Sequence, residues 1–224
     1  MPTVYIRPIA LVDSPQAEDG EAVRLGGGLS YASRFALMVR EGGKVISRRR
    51  LGASEVPDAV TALPDGLAAD ASEQWNNLRK VHAPLACGPR MIRLEQPQIM
   101  GILNVTPDSF SDGGQFLDKP DAALDHAHAM LSSGAGIIDV GGESTRPGAA
   151  AVWEGDEVKR VVPVIEQLAA SGAAISIDSR RSTVIEAALA AGAHIVNDVS
   201  AMRHDPRTAQ IVAKAGAPVV LMHA

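Results

Sequence analysis

Five short apolar runs in the second half of the sequence each end in polar side chains that could do chemistry. The first run covers residues 99–105, and the residues that close the five runs are Asn104, Asp139, Asp178 with Ser179, Asn197 with Asp198, and His223. A buried carboxylate or amide without a partner is costly, so a single one is usually a satisfied structural cap. Several at the same end of a parallel sheet indicate a site, because active sites form at that face. For Asp198 alone, a cap and a functional role both stay open.

The elements that position these residues repeat along the chain after residue 96. At four places the dipeptide Gly-Ala stands between a helix-like segment and a short β-branched run, and the glycines there are Gly134, Gly172, Gly192 and Gly216. A glycine just past a helix takes the left-handed cap conformation cheaply, so the pattern predicts four helix-to-strand junctions. Ser182 is the candidate N-cap of the third helix. Strands that alternate with helices predict an α/β fold with a parallel sheet, either a (β/α)8 barrel or an open doubly wound sheet.

Two stretches that follow apolar runs carry residue types suited to ions. The side-chain amide oxygen of Asn104 is a hard, neutral ligand suited to Mg2+, although asparagine is also common in turns. Residues 141–148 read Gly-Gly-Glu-Ser-Thr-Arg-Pro-Gly. Their glycines allow backbone N–H groups to approach an anion, the Thr145 hydroxyl adds a donor, and the Arg146 guanidinium fits phosphate geometry. This loop suits a pyrophosphate, although glycine and proline also punctuate ordinary loops.

Residues 99–114 and 139–148 together resemble dihydropteroate synthase, the folate-pathway enzyme that joins a pterin pyrophosphate to p-aminobenzoate. The resemblance covers residues 96–224 and implies a (β/α)8 TIM barrel, of which about five β/α units are present. It implies the following site residues: Asn104 for Mg2+; Thr145 and Arg146 for the pyrophosphate; Asp178, Asn197, Asp139 and Met222 for the pterin; and Phe110 and Pro147 for the walls of the p-aminobenzoate pocket.

The reaction that the resemblance implies is displacement of pyrophosphate from the methylene carbon of the pterin by the aryl amine of p-aminobenzoate. It needs positioning and stabilisation of the leaving charge rather than a covalent enzyme intermediate. The full-length family enzyme is a possible homodimer and a sulfonamide target. The family continues through three further strands with D-P-G-F-G-F, S-R-K and R-x-H segments that this sequence lacks. We therefore expect an incomplete barrel, as in a truncated chain, with weak or no activity alone.

Two other functions fit part of the same pattern. A pterin-binding methyltransferase of the same superfamily would share the aspartate and the asparagine, but has no reason to keep the anion loop at residues 144–146. A non-catalytic binding or interaction module would bind a ligand without turnover. Assays separate the three functions: a synthase releases pyrophosphate, a methyltransferase transfers a methyl group, and a binding module only binds the ligand.

Composition limits the partners and the compartment. With 21 basic and 26 acidic residues, the net charge of -5 argues against a general nucleic-acid binder. Cys87 is the single cysteine, so no intrachain disulfide can form and a reducing cytoplasm is the expected location. We expect no signal peptide, because the start lacks a basic segment followed by a long apolar core. We also expect no membrane span, because no apolar stretch approaches the roughly 20 residues that a bilayer span needs.

Residues 1–95 are predicted to form a small α+β region ahead of the partial barrel at residues 96–224. Two apolar runs, at residues 34–40 and 45–48, flank a Gly-Gly loop and predict a hairpin. One face of an amphipathic helix follows, formed by Leu67, Ala71, Trp75, Leu78 and Val81. The Arg48-Arg49-Arg50 run is interpreted as a solvated strand edge. This region carries no motif that predicts a function.

Overall fold

The computed structural model describes residues 1–17, 20–106, 120–143 and 152–222. The chain divides into two compact units. The first unit comprises Met1–Ala83 and Leu94–Pro97, and the second comprises Pro84–Arg93 and Gln98–Ala224.

The first unit is an antiparallel sheet with two helices. Its elements are β1 (Thr3–Val12), β2 (Gln16–Ala17), β3 (Gly20–Glu21), β4 (Val23–Arg24), β5 (Tyr31–Glu41), β6 (Lys44–Gly52), α1 (Val56–Thr61) and α2 (Asp65–Arg79). The hairpin predicted from the sequence is present as β5 and β6, and Gly42 and Gly43 form its turn with φ of 55° and 80°. Val4 and Ile6 of β1 are buried, as is most of the middle of β5, and the Phe35 ring meets Trp75 of α2 edge-on, with the ring centroids 4.9 Å apart. The arginine run of residues 48–50 is exposed on β6.

The second unit is built around a parallel sheet. Its elements are β7 (Leu85–Cys87), β8 (Arg90–Ile92), β9 (Met100–Asn104), α3 (Pro120–Ser132), β10 (Ile137–Gly141), α4 (Glu154–Ala170), β11 (Ile175–Asp178), α5 (Ser182–Ala191), β12 (Ile195–Asp198), α6 (Thr208–Ala215) and β13 (Val219–Leu221). Strands β9 to β13 lie side by side in chain order, all parallel. A doubly wound sheet reverses its strand order, so this unreversed order is instead that of a partial TIM-barrel-like sheet. The predicted α/β fold with a parallel sheet is confirmed.

The two faces of this sheet differ in polarity. One face is apolar and packs against the helices, and its strand residues are Leu103, Ile138, Val140, Ile175, Ile177 and Val196. The other face carries polar side chains at the carboxyl ends of the strands, because side chains alternate between faces along each strand. In the described part of the sheet, the polar groups available for a ligand therefore lie on the second face. Within the described ranges, no helix has both the length and the apolar character needed to cross a membrane.

Glycines end the helices as the sequence predicts. Gly134, Gly172, Gly192 and Gly216 have φ of 105°, 75°, 111° and 63°, a region that favours glycine.

The prediction for Ser182 was wrong, because Ser182 is the first residue of α5 rather than its N-cap. Its backbone N–H and its hydroxyl both donate to Oδ2 of Asp205, at 3.2 and 2.6 Å. A carboxylate from the loop before α6 thus caps α5.

The β7–β8 hairpin packs under the amino ends of the parallel strands. Cys87 and Ile92 are buried together with Ile137, Ala174 and Ile195. The side chain of Arg90 donates to the carbonyl oxygen of Gly172 at 3.0 Å. These contacts group residues 84–93 with the second unit, whereas the division expected from the sequence lies between residues 95 and 96.

Candidate active site

Three of the predicted site residues stand in one row across the sheet. Asn104 is in register with Gly141, Gly141 with Asp178, and Asp178 with Asn197. Neighbours in a parallel register point to the same face, so the three side chains share the face that is not covered by helices. Asp139 lies two residues before Gly141 on β10 and therefore belongs to the same face.

The polar groups in this row leave acceptor atoms unused. Asn197 Nδ2 donates to Oδ2 of Asp139 at 3.0 Å, which fixes the amide orientation. Within the described part of the chain, the buried Oδ1 atoms of Asp139 and Asp178 and the Ser176 hydroxyl have no hydrogen-bond partner. Asp139 is 4% exposed, so water reaches it poorly. Buried acceptors without partners are costly, and a ligand that presents N–H donors would satisfy them.

Asp178 has the most strongly perturbed carboxyl group of the row. Burial is the main cause that raises its pKa to about 7, and the negative charge of Asp139 adds to the effect. Glu157, Asp198 and Glu143 raise this pKa further. A carboxyl group that is partly neutral near pH 7 gains from donors that favour its ionised form, and such groups are typical of functional sites.

Gly141 keeps the space between two site residues open. A Cβ atom at this position would lie 3.2 Å from Asn104 Oδ1 and 3.7 Å from Asp178 Oδ2. Across the described ranges, no group of three or more His, Cys, Asp or Glu residues could hold a metal ion. Mg2+ keeps most of its waters and often takes one or two protein oxygens beside a phosphate ligand. The single amide oxygen of Asn104 at an open strand end fits that kind of site.

Asp198 has a structural role. Its Oδ1 accepts hydrogen bonds from the backbone N–H and the hydroxyl of Ser200, both at 2.7 Å. Its Oδ2 accepts from the backbone N–H of Met202 at 2.9 Å. Ala201 and Met202 have positive φ of 52° and 62°, a costly conformation for residues with a side chain. Asp198 therefore holds a strained loop beside Asn197 and has its acceptors filled.

Of the remaining predicted site residues, Met222 lies at the end of the sheet and the others lie outside the described part of the chain. Met222 follows β13, is 49% exposed, and donates its backbone N–H to the carbonyl oxygen of Asp198 at 3.3 Å. The predicted residues that lie outside the described part of the chain are Phe110, Thr145, Arg146, Pro147 and His223.

The sequence analysis missed a group of buried charges beside the row. Arg181 donates to Glu157 Oε2 at 2.6 Å and to Glu143 Oε1 at 2.7 Å, and the Ser179 hydroxyl donates to Glu157 Oε1 at 2.8 Å. Glu157 is fully buried, and burial raises the pKa of its carboxyl. A signal was present: Glu157 lies four residues before Val161 on the apolar stripe of α4. Among the acidic residues that begin α4, it is the one that faces the core.

Comparison with known proteins places the row of site residues within a known protein family. Residues 100–224, more than half of the chain, match the family model described as "Pterin binding enzyme". The chain belongs to the pterin binding enzyme family. The matched region begins at β9 and contains every strand of the parallel sheet, so the row of site residues lies within the family domain.

Known proteins that are similar to this chain include several named dihydropteroate synthase. The chain is 56% identical over 126 residues to dihydropteroate synthase of Mycobacterium leprae, a match that covers 56% of this chain and 44% of the relative. The solved structure of Xanthomonas albilineans dihydropteroate synthase with 4-aminobenzoic acid is 48% identical and has a TM-score of 0.58. The match covers 63% of this chain and 52% of the X. albilineans chain. The structure of Yersinia pestis dihydropteroate synthase with a sulfonamide drug complex is 50% identical and also has a TM-score of 0.58. This match covers 62% of this chain and 50% of the Y. pestis chain.

These matches confirm the resemblance to dihydropteroate synthase. The chain spans less than half the length of the M. leprae relative.

Proposed function

We propose that this chain provides the pterin-binding part of a dihydropteroate synthase. The enzyme would condense a dihydropterin pyrophosphate with 4-aminobenzoate (p-aminobenzoate), releasing pyrophosphate in folate biosynthesis. The observation that carries the proposal is the pair of buried Oδ1 atoms of Asp139 and Asp178, which have no partner among the described residues and lie next to the fixed amide of Asn197. The names of the relatives supply the reaction, and the site supplies the reason why a pterin would bind.

A pterin ring matches the hydrogen-bonding groups of this row. Its amino-pyrimidinone edge presents adjacent N–H donors beside an acceptor. The ionised carboxylate of Asp178 would accept from the donors, and Asn197 would complete the pairing. Asp139 would hold Asn197 and line the pocket, and Met222 would border it. Because donors stabilise the ionised form, pterin binding would lower the pKa of Asp178 from its value of about 7.

The pyrophosphate would bind beside the Asn104 end of the row. Asn104 would supply one oxygen ligand to Mg2+. A bound Mg2+ would neutralise part of the negative charge on the departing pyrophosphate. Thr145 and Arg146 would donate to the pyrophosphate oxygens, as their motif in the sequence suggests. Gly141 supports this assignment, because its missing side chain leaves room between Asn104 and Asp178.

4-Aminobenzoate would enter against a wall formed by Phe110 and Pro147. The X. albilineans structure with 4-aminobenzoic acid and the Y. pestis structure with a sulfonamide drug support an arylamine as the second substrate. The aryl amine would attack the methylene carbon of the pterin as the pyrophosphate leaves. The residues of the chain would contribute position and charge rather than a covalent bond.

Two further parts of the proposal concern assembly and location. The five strands run in the unreversed order of a TIM barrel, which supports an eight-stranded barrel in the whole enzyme. The whole enzyme would assemble as a homodimer. The buried, unpaired thiol of Cys87 suits a reducing cytoplasm. Because the chain covers about half the length of its relatives, we expect weak or no turnover from the 224 residues alone.

Calorimetry with the 224-residue chain tests the proposal. The titrants are 6-hydroxymethyl-7,8-dihydropterin and its pyrophosphate ester, the latter with and without Mg2+. We expect both to bind, the ester more tightly when Mg2+ is present, and Asp178→Ala to lose both. Failure of the folded wild-type chain to bind either compound contradicts the proposal. Assays for pyrophosphate release and for methyl transfer, with 4-aminobenzoate or a methyl donor added, then separate the synthase from a pterin-dependent methyltransferase.

A further inference from the structure

The sheet of the first unit concentrates positive charge on three strands. The basic residues of β1, β5 and β6 are Arg7, Arg34, Arg40, Lys44, Arg48, Arg49 and Arg50. Glu41 is the only acidic residue of these three strands. The whole chain has 21 basic and 26 acidic residues, so its net charge of -5 does not describe this part of the surface.

Four of the arginines share the outward face of the sheet with a tyrosine. Alternate residues of a strand point to one face, and so do residues in register across an antiparallel pair. On this basis two rows share the outward face, first Tyr5, Met38 and Arg48, and then Arg7, Ala36 and Arg50. Arg40 lies two residues after Met38 on β5 and has the same orientation. The opposite face, which includes Val4, Ile6 and Leu37, is buried in the core with the helices.

The arginine-tyrosine face, defined as Tyr5, Arg7, Arg40, Arg48 and Arg50, is exposed to solvent. The Tyr5 side chain is 43% exposed. The ion pairs found among the described residues involve none of these arginines. The face therefore carries positive charge that the described carboxylates do not neutralise.

We propose that the arginine-tyrosine face binds single-stranded nucleic acid. Phosphate groups lie on the guanidinium groups, and a base stacks on the ring of Tyr5. This inference is independent of the proposed function, because every residue of the face belongs to the first unit.

The cations of the face suit phosphate groups. All four are guanidinium groups, which can bind a phosphate through two parallel N–H donors and stay charged at physiological pH. Arg48 and Arg50 occupy alternate positions of β6, about 7 Å apart along the strand. Like charges at this distance repel each other, so an anion that lies among them gains from their combined potential. A chain of phosphates offers such an anion repeatedly.

The tyrosine favours a single strand over a duplex. Its row also contains Met38 and Arg48, so an apolar patch lies beside the cations. A base of a single strand can stack on an aromatic ring whatever its sequence, whereas the bases of a duplex are stacked on each other. Sheet faces with an exposed aromatic ring and basic side chains are a common platform for single strands.

Protection of a sheet edge does not account for the whole face. β6 is an edge strand, and charged residues on an edge discourage pairing with another chain. That role explains Arg48 and Arg50, but not Arg40, because β5 lies between β1 and β6. The Arg40 guanidinium also donates to the carbonyl oxygen of Gly43 at 2.8 Å, which holds it at the hairpin end of the face.

The test measures binding of labelled single strands to the 224-residue chain by fluorescence anisotropy. The probes are oligo(U) and oligo(dT) of about 12 nucleotides, close to the usual site sizes of single-strand binders. We expect both to bind at about 50 mM salt and to bind about 50-fold more weakly at about 200 mM, as four phosphate contacts on a single strand predict.

Charge reversal at two places separates the face from the net charge. Arg48→Glu with Arg50→Glu should weaken binding at about 50 mM salt by at least about tenfold, because two phosphate contacts become repulsive. Lys159→Glu with Lys214→Glu is the matched control. Both lysines are exposed on helices of the second unit, and this reversal changes the net charge by the same amount. It should change the affinity by less than about threefold.

Variants of Tyr5 separate stacking from charge. Tyr5→Ala should weaken binding by at least about fivefold, whereas Tyr5→Phe keeps the ring and should keep the affinity. Circular dichroism and thermal unfolding report whether each variant is folded. If Arg48→Glu with Arg50→Glu is not folded, Arg48→Gln with Arg50→Gln removes the charges without reversing them and should weaken binding in the same direction.

Several outcomes overturn the proposal. Absence of binding to both oligonucleotides at about 50 mM salt does so, as does equal weakening by the two charge reversals. Wild-type affinity in Tyr5→Ala overturns the choice of a single strand, because a surface that needs only charge binds any polyanion. Vesicles that contain phosphatidylserine are the last arm: binding to these vesicles without binding to the oligonucleotides assigns the face to an anionic membrane instead.

Discussion

Asn197 and Asp139 are hydrogen-bonded at 3.0 Å although a whole strand, β11, lies between their own strands. The two side chains reach each other over β11, where the residue in register with Asp139 is Ser176. A small side chain at that position leaves the space that the longer amide and carboxylate use. The pair uses only Oδ2 of Asp139, so the buried Oδ1, which has no partner in the described residues, is left for a ligand.

Asn197→Ala should weaken pterin binding and the fold together. Both Asp139 oxygens would then be buried without donors, so the free energy of unfolding should fall by about 1–3 kcal/mol. Affinity for 6-hydroxymethyl-7,8-dihydropterin should fall at least about tenfold, which is about 1.4 kcal/mol. Urea unfolding and calorimetry measure the two effects. Asn197→Asp is the matched variant: it keeps the shape but places a second carboxylate against Asp139, so its defect should grow as the pH rises. Wild-type affinity in Asn197→Asp at pH 8 would contradict the pairing.

The neighbouring glycines Gly141 and Gly142 should respond oppositely to alanine. A Cβ on Gly141 meets Asn104 Oδ1 at 3.2 Å, a side-chain atom that can move. Gly141→Ala should therefore keep the stability within about 1 kcal/mol but weaken the Mg2+-dependent binding of the pyrophosphate ester about tenfold. A Cβ on Gly142 meets Glu157 Cγ and Val161 Cγ1, both at 2.8 Å, inside the core. Gly142→Ala should destabilise the chain by about 1–3 kcal/mol, as overpacked core variants do.

Thermal unfolding and calorimetry of the two variants show whether each position needs glycine for ligand binding or for packing in the core. If both variants lose stability equally and bind the ester alike, Gly141 is a packing residue and the space beside Asn104 has no role in binding.

The sequence was sufficient for the fold of the second unit because its signals are local. The glycines after the helices and the apolar runs before polar residues depend only on neighbouring positions, and each appears where expected. The choice between a barrel-type order and a doubly wound sheet was left open, because strand order is set by packing between distant segments. Ser182 shows the same limit: its capping partner, Asp205, lies 23 residues away.

The candidate site was predictable in its members but not in their arrangement. Asn104, Asp178 and Asn197 could be named as strand ends, yet their common row depends on the register between strands. Glu157 was missed because it follows two other acidic residues in the first turn of α4, where acidic residues are ordinary. Its burial depends on Arg181 in another segment, a pairing that no local pattern shows.

Asp198→Ala should destabilise the chain without removing a ligand contact. The carboxylate accepts three hydrogen bonds that hold the loop at residues 199–202, including two residues with positive φ. Loss of these bonds should lower the free energy of unfolding by about 2–4 kcal/mol, measured by urea unfolding. Asp198→Asn keeps an acceptor for Ser200 but turns a donor toward the Met202 N–H, so it should be intermediate. Pterin affinity, measured where the variants are folded, should fall less than in Asn197→Ala; a larger fall would assign Asp198 to the ligand.

Asp178→Asn should stabilise the chain at neutral and alkaline pH while it abolishes pterin binding. Burial is the main reason why the folded-state pKa of Asp178, about 7, lies above the ordinary aspartate value of 3.8. Between these two values the folded chain holds a proton that the unfolded chain has released. The wild type therefore loses stability as the pH rises through this window, by an amount of the order of a few kcal/mol. Asparagine has no such loss, so the melting temperature of Asp178→Asn should exceed that of the wild type at pH 8, and the difference should shrink toward pH 4.5. Asn197→Asp serves as a contrast, since it adds a partly buried carboxylate where Asp178→Asn removes one. A difference in melting temperature that does not change with pH would show that Asp178 ionises in the folded chain as it does in the unfolded one.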